Sequence, residues 1–172
     1  YKEAFHNDGR TQVSIALENF YDYSLPSASP ALERVVNEIQ RRLEQHSHFR
    51  KDLVKAFNET FLAVDEALET EPGIEPVFAG TTACVALLKG DVLTCANAGD
   101  SRAVVAQRHP TKYTLSSTDL TIDQNPDLPE EMKRIYAAGG YVSLPPAPGL
   151  SARVWLDPHC TQIGLAMARS IG

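Results

Sequence analysis

Phe49, Leu53, Phe57, Phe61, Val64 and Leu68 recur every three or four residues, and this stripe is the strongest constraint on the fold. Spread over about five helical turns, it makes one face of a helix that must be buried. Glu71-Pro72-Gly73-Ile74-Glu75-Pro76 ends the pattern, because proline and glycine interrupt helical hydrogen bonding. Beyond that segment the character changes. Thr81 to Leu88, Val92 to Ala98 and Arg102 to Gln107 are short runs rich in β-branched and small residues, separated by turn residues. A long amphipathic helix followed by successive hairpins predicts helices packed on antiparallel strands, an α+β architecture.

Two more helices are expected ahead of the stripe. Val13, Ala16, Leu17 and Phe20 suggest one from Thr11 to about Tyr23. Ser29-Pro30 suits the start of another, which runs to about Gln45 with Leu32, Val35, Val36, Ile39 and Leu43 on one face. Within the β part, Lys89-Gly90-Asp91 is read as a tight turn, and Val92–Ala98 with Arg102–Gln107 as a hairpin. Lys112 to Ser116 is expected as a further strand. A short helix follows from about Glu130 to Ala138, with Gly139-Gly140 as its left-handed cap. Tyr141-Val142-Ser143 and Arg153-Val154-Trp155-Leu156 read as strands. The 172 residues suit one core and a single domain, mainly helical over 1–70 and mainly β over 78–172.

Composition excludes several functions. The apolar share of 43% and charged share of 22% are those of a globular protein, not a disordered one. With a net charge of −6 and no basic run, nucleic acid is not an expected partner. No apolar stretch approaches the ~20 residues that span a bilayer, so no membrane partner is expected. Cys84, Cys95 and Cys160 lack metal-ligand spacing, and two of them sit inside apolar strands. They read as free thiols, which places the chain in an intracellular, cytoplasmic or nuclear compartment. His159-Cys160 has no partners at zinc spacing. Neither a Gly-x-Ser-x-Gly elbow nor a phosphate-cradling glycine loop occurs.

The chemistry-bearing candidate is Asn97-Ala98-Gly99-Asp100-Ser101-Arg102. A carboxylate at a strand end, beside a glycine that permits a sharp turn, is a common way to present a hard-cation ligand. Most Gly-Asp pairs are simply turns, so the surroundings decide. Around it, in order, stand Gly80-Thr81-Thr82-Ala83, Pro126-Asp127-Leu128-Pro129-Glu130-Glu131, Arg134-Ile135, Gly139-Gly140, Ala152-Arg153-Val154 and Gly164-Leu165-Ala166-Met167-Ala168-Arg169-Ser170-Ile171-Gly172.

That ordered series resembles the metal-dependent serine/threonine protein phosphatases of type 2C, over roughly residues 78–172. The resemblance implies a pair of antiparallel sheets between helical layers, and hydrolysis of phosphoserine and phosphothreonine in proteins. It also implies a two-metal centre of magnesium or manganese that activates water and neutralises phosphoryl charge. Asp100 matches an acid of that family, which implies contact with the metals at a peripheral site. Asp8 and Gly9, in Asn7-Asp8-Gly9-Arg10, stand where an early Asp-Gly-His-Gly motif is expected and are the other candidate metal ligands. There Arg10 replaces the histidine, and no catalytic residue is assigned. The family's later metal-binding aspartates would lie beyond Gly172, so the chain resembles a truncated catalytic domain that does not turn over alone. The alternative is a catalytically inactive pseudophosphatase acting as a regulatory or binding module. Glu130, Glu131 and Arg134 read as a helix start with a solvated or salt-bridged face, and Gly80, Thr81 and Thr82 as close packing within the sheet. Phosphorylated proteins are the expected partners, and the chain is expected to be a monomer.

Overall fold

The computed structural model describes residues 2–7, 11–17, 29–49, 51–72, 79–108, 111 and 114–172. Strands β1 (Lys2–Asn7), β2 (Thr11–Leu17), β3 (Ala83–Lys89) and β4 (Val92–Ala98) form one antiparallel sheet in that order. β5 (Val104–Arg108) pairs with β6 (Leu115–Asp119), and β7 (Tyr141–Ser143) with β8 (Arg153–Trp155). The helices are α1 (Ser29–Gln45), α2 (Leu53–Leu68) and α3 (Pro129–Ala137).

The core lies between the two long helices and the four-stranded sheet. Val35, Val36, Ile39 and Leu43 of α1 meet Ala56, Phe57, Val64 and Leu68 of α2 in one buried cluster. Ala83, Val85 and Leu87 join it from β3. Their spacing of two puts them on one face of the strand, as a half-covered sheet requires. From Leu53 to Leu68 the apolar stripe is thus the buried face of α2, whereas Phe49, expected in the same helix, lies in the corner before it and packs on the same cluster. Asp52 caps that helix by accepting a 3.0 Å hydrogen bond from the Lys55 N–H.

Other expectations hold in detail. α1 starts at Ser29, and β3 and β4 turn through Gly90-Asp91, with positive φ at the glycine. α3 ends in a Schellman motif: Gly139 N–H donates to Tyr136 O and Gly140 N–H to Ile135 O, each at 3.0 Å. Gly139 has φ +85°, which suits a residue without a Cβ.

Three expectations are corrected. The helix expected from Thr11 is strand β2 as far as Leu17, and residues 18–23 lie outside the described residues. Val13, Ile15 and Leu17 also alternate, and long-range pairing settles the ambiguity: Val13 lies opposite Leu87 and Ile15 opposite Val85. The first 17 residues therefore contribute strands to a part of the chain expected to be helical. The hairpin expected around residues 97–102 does not form. β4 belongs to the four-stranded sheet, and β5 pairs instead with β6. The strand expected over 112–116 is described as Leu115–Asp119, three residues further along at each end, and residues 112–113 lie outside the described residues.

Candidate functional site

Because β4 and β5 belong to different sheets, the Gly99–Arg102 turn is a crossover between them. Gly99 has φ +112°, and a Cβ there would meet Thr82 Cγ2 at 2.4 Å and Arg169 O at 3.2 Å. Only glycine allows this backbone to lie against Thr82. Thr82 Oγ1 and Ser101 Oγ share a buried 2.7 Å hydrogen bond just beside it. Close packing is thus what Thr82 does, as its sequence suggests. Thr81 pairs with Ile171 through two backbone bonds, Thr81 N–H to Ile171 O at 2.9 Å and Ile171 N–H to Thr81 O at 2.8 Å.

Gln124 closes the turn from the other side. Its Oε1 accepts from Gly99 N–H at 2.7 Å, its own N–H donates to Gly99 O at 3.0 Å, and its Nε2 donates to Asn97 O at 3.2 Å. Asn97 Nδ2 also donates to Gly99 O, at 2.9 Å. Gln124 O in turn accepts from Ala168 N–H at 2.8 Å, so one glutamine ties the turn to the 168–171 segment. Sequence reasoning missed Gln124. Its only signal was a polar run, Asp123 to Asn125, lying just before Pro126.

Asp100 stands half-buried in this frame. The next residues organise other acids. Arg102 grips Asp123 with two parallel hydrogen bonds, of 2.9 and 2.7 Å, and reaches Asp119 at 3.1 Å. The Arg102 guanidinium holds the Asp123 carboxyl below its usual range, against the opposing effect of partial burial. Asp119 and Asp123 are therefore engaged by an arginine and are not offered to a cation. A two-cation centre needs several carboxylates, and among these acids the sequence motif makes Asp100 the candidate ligand. The described residues do not by themselves fit the whole centre that the resemblance implies.

Asp8 and Gly9 lie outside the described residues. The flanking strand ends, Asn7 and Thr11, border the sheet end where Lys89 pairs with Val92. Asp100 follows Ala98, which pairs with Ala83 at the other end. The structural case for Asp100 accordingly stands alone.

A second charged cluster anchors the turn's far side. Glu131 is buried and binds Arg169 through contacts of 2.8 to 3.1 Å and Arg134 at 2.9 and 3.1 Å. Of the two readings offered for this face of α3, the salt-bridged one holds, with the Glu131 carboxylate buried between two guanidinium groups. Burial pushes the Glu131 carboxyl up, but the hydrogen bonds from Arg169 and Arg134 prevail and hold it below its usual range. The His159-Cys160 loop is equally structural. The Asp157 carboxylate accepts from the N–H groups of His159, Thr161 and Gln162 at 2.6 to 2.9 Å.

Comparison with known proteins agrees with this architecture. The protein phosphatase 2C family matches residues 14–172. Probable protein phosphatase 2C 12 of Oryza sativa subsp. japonica is 47% identical over 113 residues, which are 65% of this chain and 28% of that protein. Probable protein phosphatase 2C 33 of Arabidopsis thaliana is 36% identical over 148 residues, 86% of this chain and 28% of that protein. The crystal structure of serine-threonine phosphatase 2C from Toxoplasma gondii has a TM-score of 0.73 at 19% identity, covering 95% of this chain and 58% of that one. The chain belongs to the protein phosphatase 2C family and has its α+β fold. It spans under a third of the length of the curated relatives it matches.

Proposed function

We propose that this chain is one domain, the larger part of the catalytic domain of a serine/threonine protein phosphatase that requires magnesium or manganese. One observation carries the reading. Within a family match over residues 14–172, half-buried Asp100 sits on a glycine crossover locked on both sides by Thr82, Ser101 and Gln124. A ligand must be held in a fixed place to be useful, and this frame supplies that for Asp100. The proposed roles of Asp8 and Gly9 as further ligands rest on the resemblance of Asn7-Asp8-Gly9 alone. Phosphorylated proteins are the substrates of this reading, and a monomer in the cytoplasm or nucleus is its setting. The free thiols of Cys95 and Cys160 support a reducing compartment. Burial pushes the Cys95 thiol up, as in an unreactive interior cysteine.

The test uses the full-length protein and a phosphothreonine peptide. Turnover is expected with added magnesium or manganese and is abolished by a chelator. Asp100→Asn keeps the side chain's shape and is expected to lower turnover at limiting metal by at least about tenfold. Chelator-resistant turnover, or an unaffected Asp100→Asn variant, overturns the reading. Arg10 in place of a histidine supports the second reading, a pseudophosphatase module. That reading predicts no turnover at any metal concentration.

A further inference from the structure

A cleft of about 470 Å³ opens where α1 hands over to α2, far along the chain from Asp100. The connection is built around two histidines. His46 O accepts from Phe49 N–H at 3.0 Å, and His48 O accepts from Lys51 and Asp52 N–H at 2.9 and 2.7 Å. This tight corner brings both rings to Glu59 of α2. The ring centroids are 5.5 Å apart, and His46 Nε2 lies 2.9 Å from Glu59 Oε2. One ligand atom from each of His46, His48 and Glu59 lies within 4.8 Å of the other two.

We infer that His46, His48 and Glu59 form a binding site for a divalent transition-metal ion, zinc by preference, separate from the phosphatase metals. Two imidazoles and one carboxylate suit zinc, whereas magnesium and manganese prefer oxygen donors throughout. Ligands at 2.0–2.1 Å around a tetrahedral ion stand about 3.3 Å apart. His46 and Glu59 already offer atoms 2.9 Å apart and His48 brings one within 4.8 Å of both, so side-chain rotations complete the spacing. All three remain partly open to solvent, which leaves a fourth position for water.

A second observation at the same cleft points to a ligand. Thr60 lines it and is only 1% exposed, yet its Oγ1 has no hydrogen-bond partner among the described residues. A buried hydroxyl without a partner is uncommon, and a rotation that turns Thr60 Oγ1 into the cleft would let a metal-bound water supply one. The surrounding charge also permits a cation. Arg41 and Arg42 line the cleft, but both are held by Glu38 at 2.6 Å. Lys55 stands 3.8 Å from Glu59 Oε1, leaving Oε2 on the histidine side. His46 Nδ1 accepts from His48 N–H at 3.2 Å, which places the ring proton on Nε2. Coordination at Nε2 moves that proton to Nδ1 through solvent, and the 3.2 Å bond is given up.

The experiment uses the full-length protein, stripped of metal and then held in excess magnesium to fill oxygen-ligand sites. Zinc is titrated against a chromophoric chelator, for the native protein and for the His48→Ala and Glu59→Gln variants. Native protein is expected to bind one zinc that each variant binds at least about tenfold more weakly. Equal zinc stoichiometry and affinity in all three overturns the site. Cobalt(II) added to the native protein gives a reading that does not depend on variants folding. The intense visible bands of four-coordinate cobalt support the site, and their absence overturns it. Neither result bears on whether the protein hydrolyses phosphothreonine.

Discussion

Gly99 shows how much a single position can decide. Its φ of +112° and the place any Cβ would take against Thr82 combine two penalties for a side chain, a strained backbone and a clash with a buried residue. Gly99→Ala is therefore expected to destabilise the protein by about 2–4 kcal/mol, read from the midpoint of chemical denaturation. An unchanged midpoint contradicts this account of the turn. Glycine before Asp100 was legible as a turn, and Asp100 as its carboxylate. The Gln124 bonds that lock the turn were not, because they join residues 25 apart in the chain and no local pattern records them.

At the scale of elements, local signals sufficed where they agreed with packing. α1 starts at Ser29, the stripe from Leu53 to Leu68 is helical, and α3 stops at the Gly139-Gly140 cap. Asp52 is a clean instance, its carboxylate satisfying one otherwise unpaired N–H at the start of α2. Asp52→Ala is expected to cost about 1 kcal/mol, measurable as a fall in Tm, while Asp52→Asn costs much less. Equal losses for the two would mean that the cap does not matter. Elements failed where two periods fitted the same residues. Thr11–Leu17 carries apolar residues at both helical and alternate spacing, and pairing with β3 chose the strand. Strand identity was readable for β4 and β5, but not strand partners: a short turn suggests a hairpin, and only the sheets show that the chain crosses over instead.

Across the whole molecule, distant segments are tied by a few charged and backbone contacts. Glu131 of α3 binds Arg169, and Gly172 N–H donates to Asp65 of α2 at 2.7 Å. Since the Glu131 pKa in the folded protein lies below its ordinary value near 4.5, its ionised form favours folding. That contribution is complete above pH ~4.5 and is lost as pH falls through the depressed value. Glu131→Gln is expected to lower stability by about 1–3 kcal/mol at pH 7, and by less as pH falls below that range. Denaturation midpoints measured from pH 7 to pH 3 check this; a difference independent of pH excludes the linkage. The order of motifs determined the family and fold class, because helical and strand periodicities and glycine turns are local properties of a chain. What lies against the Gly99–Asp100 turn, which strands meet, that Glu131 is buried between two arginines, and that His46, His48 and Glu59 converge were decided by tertiary structure alone. Each depends on contacts between residues far apart in sequence, and no window along the chain contains them.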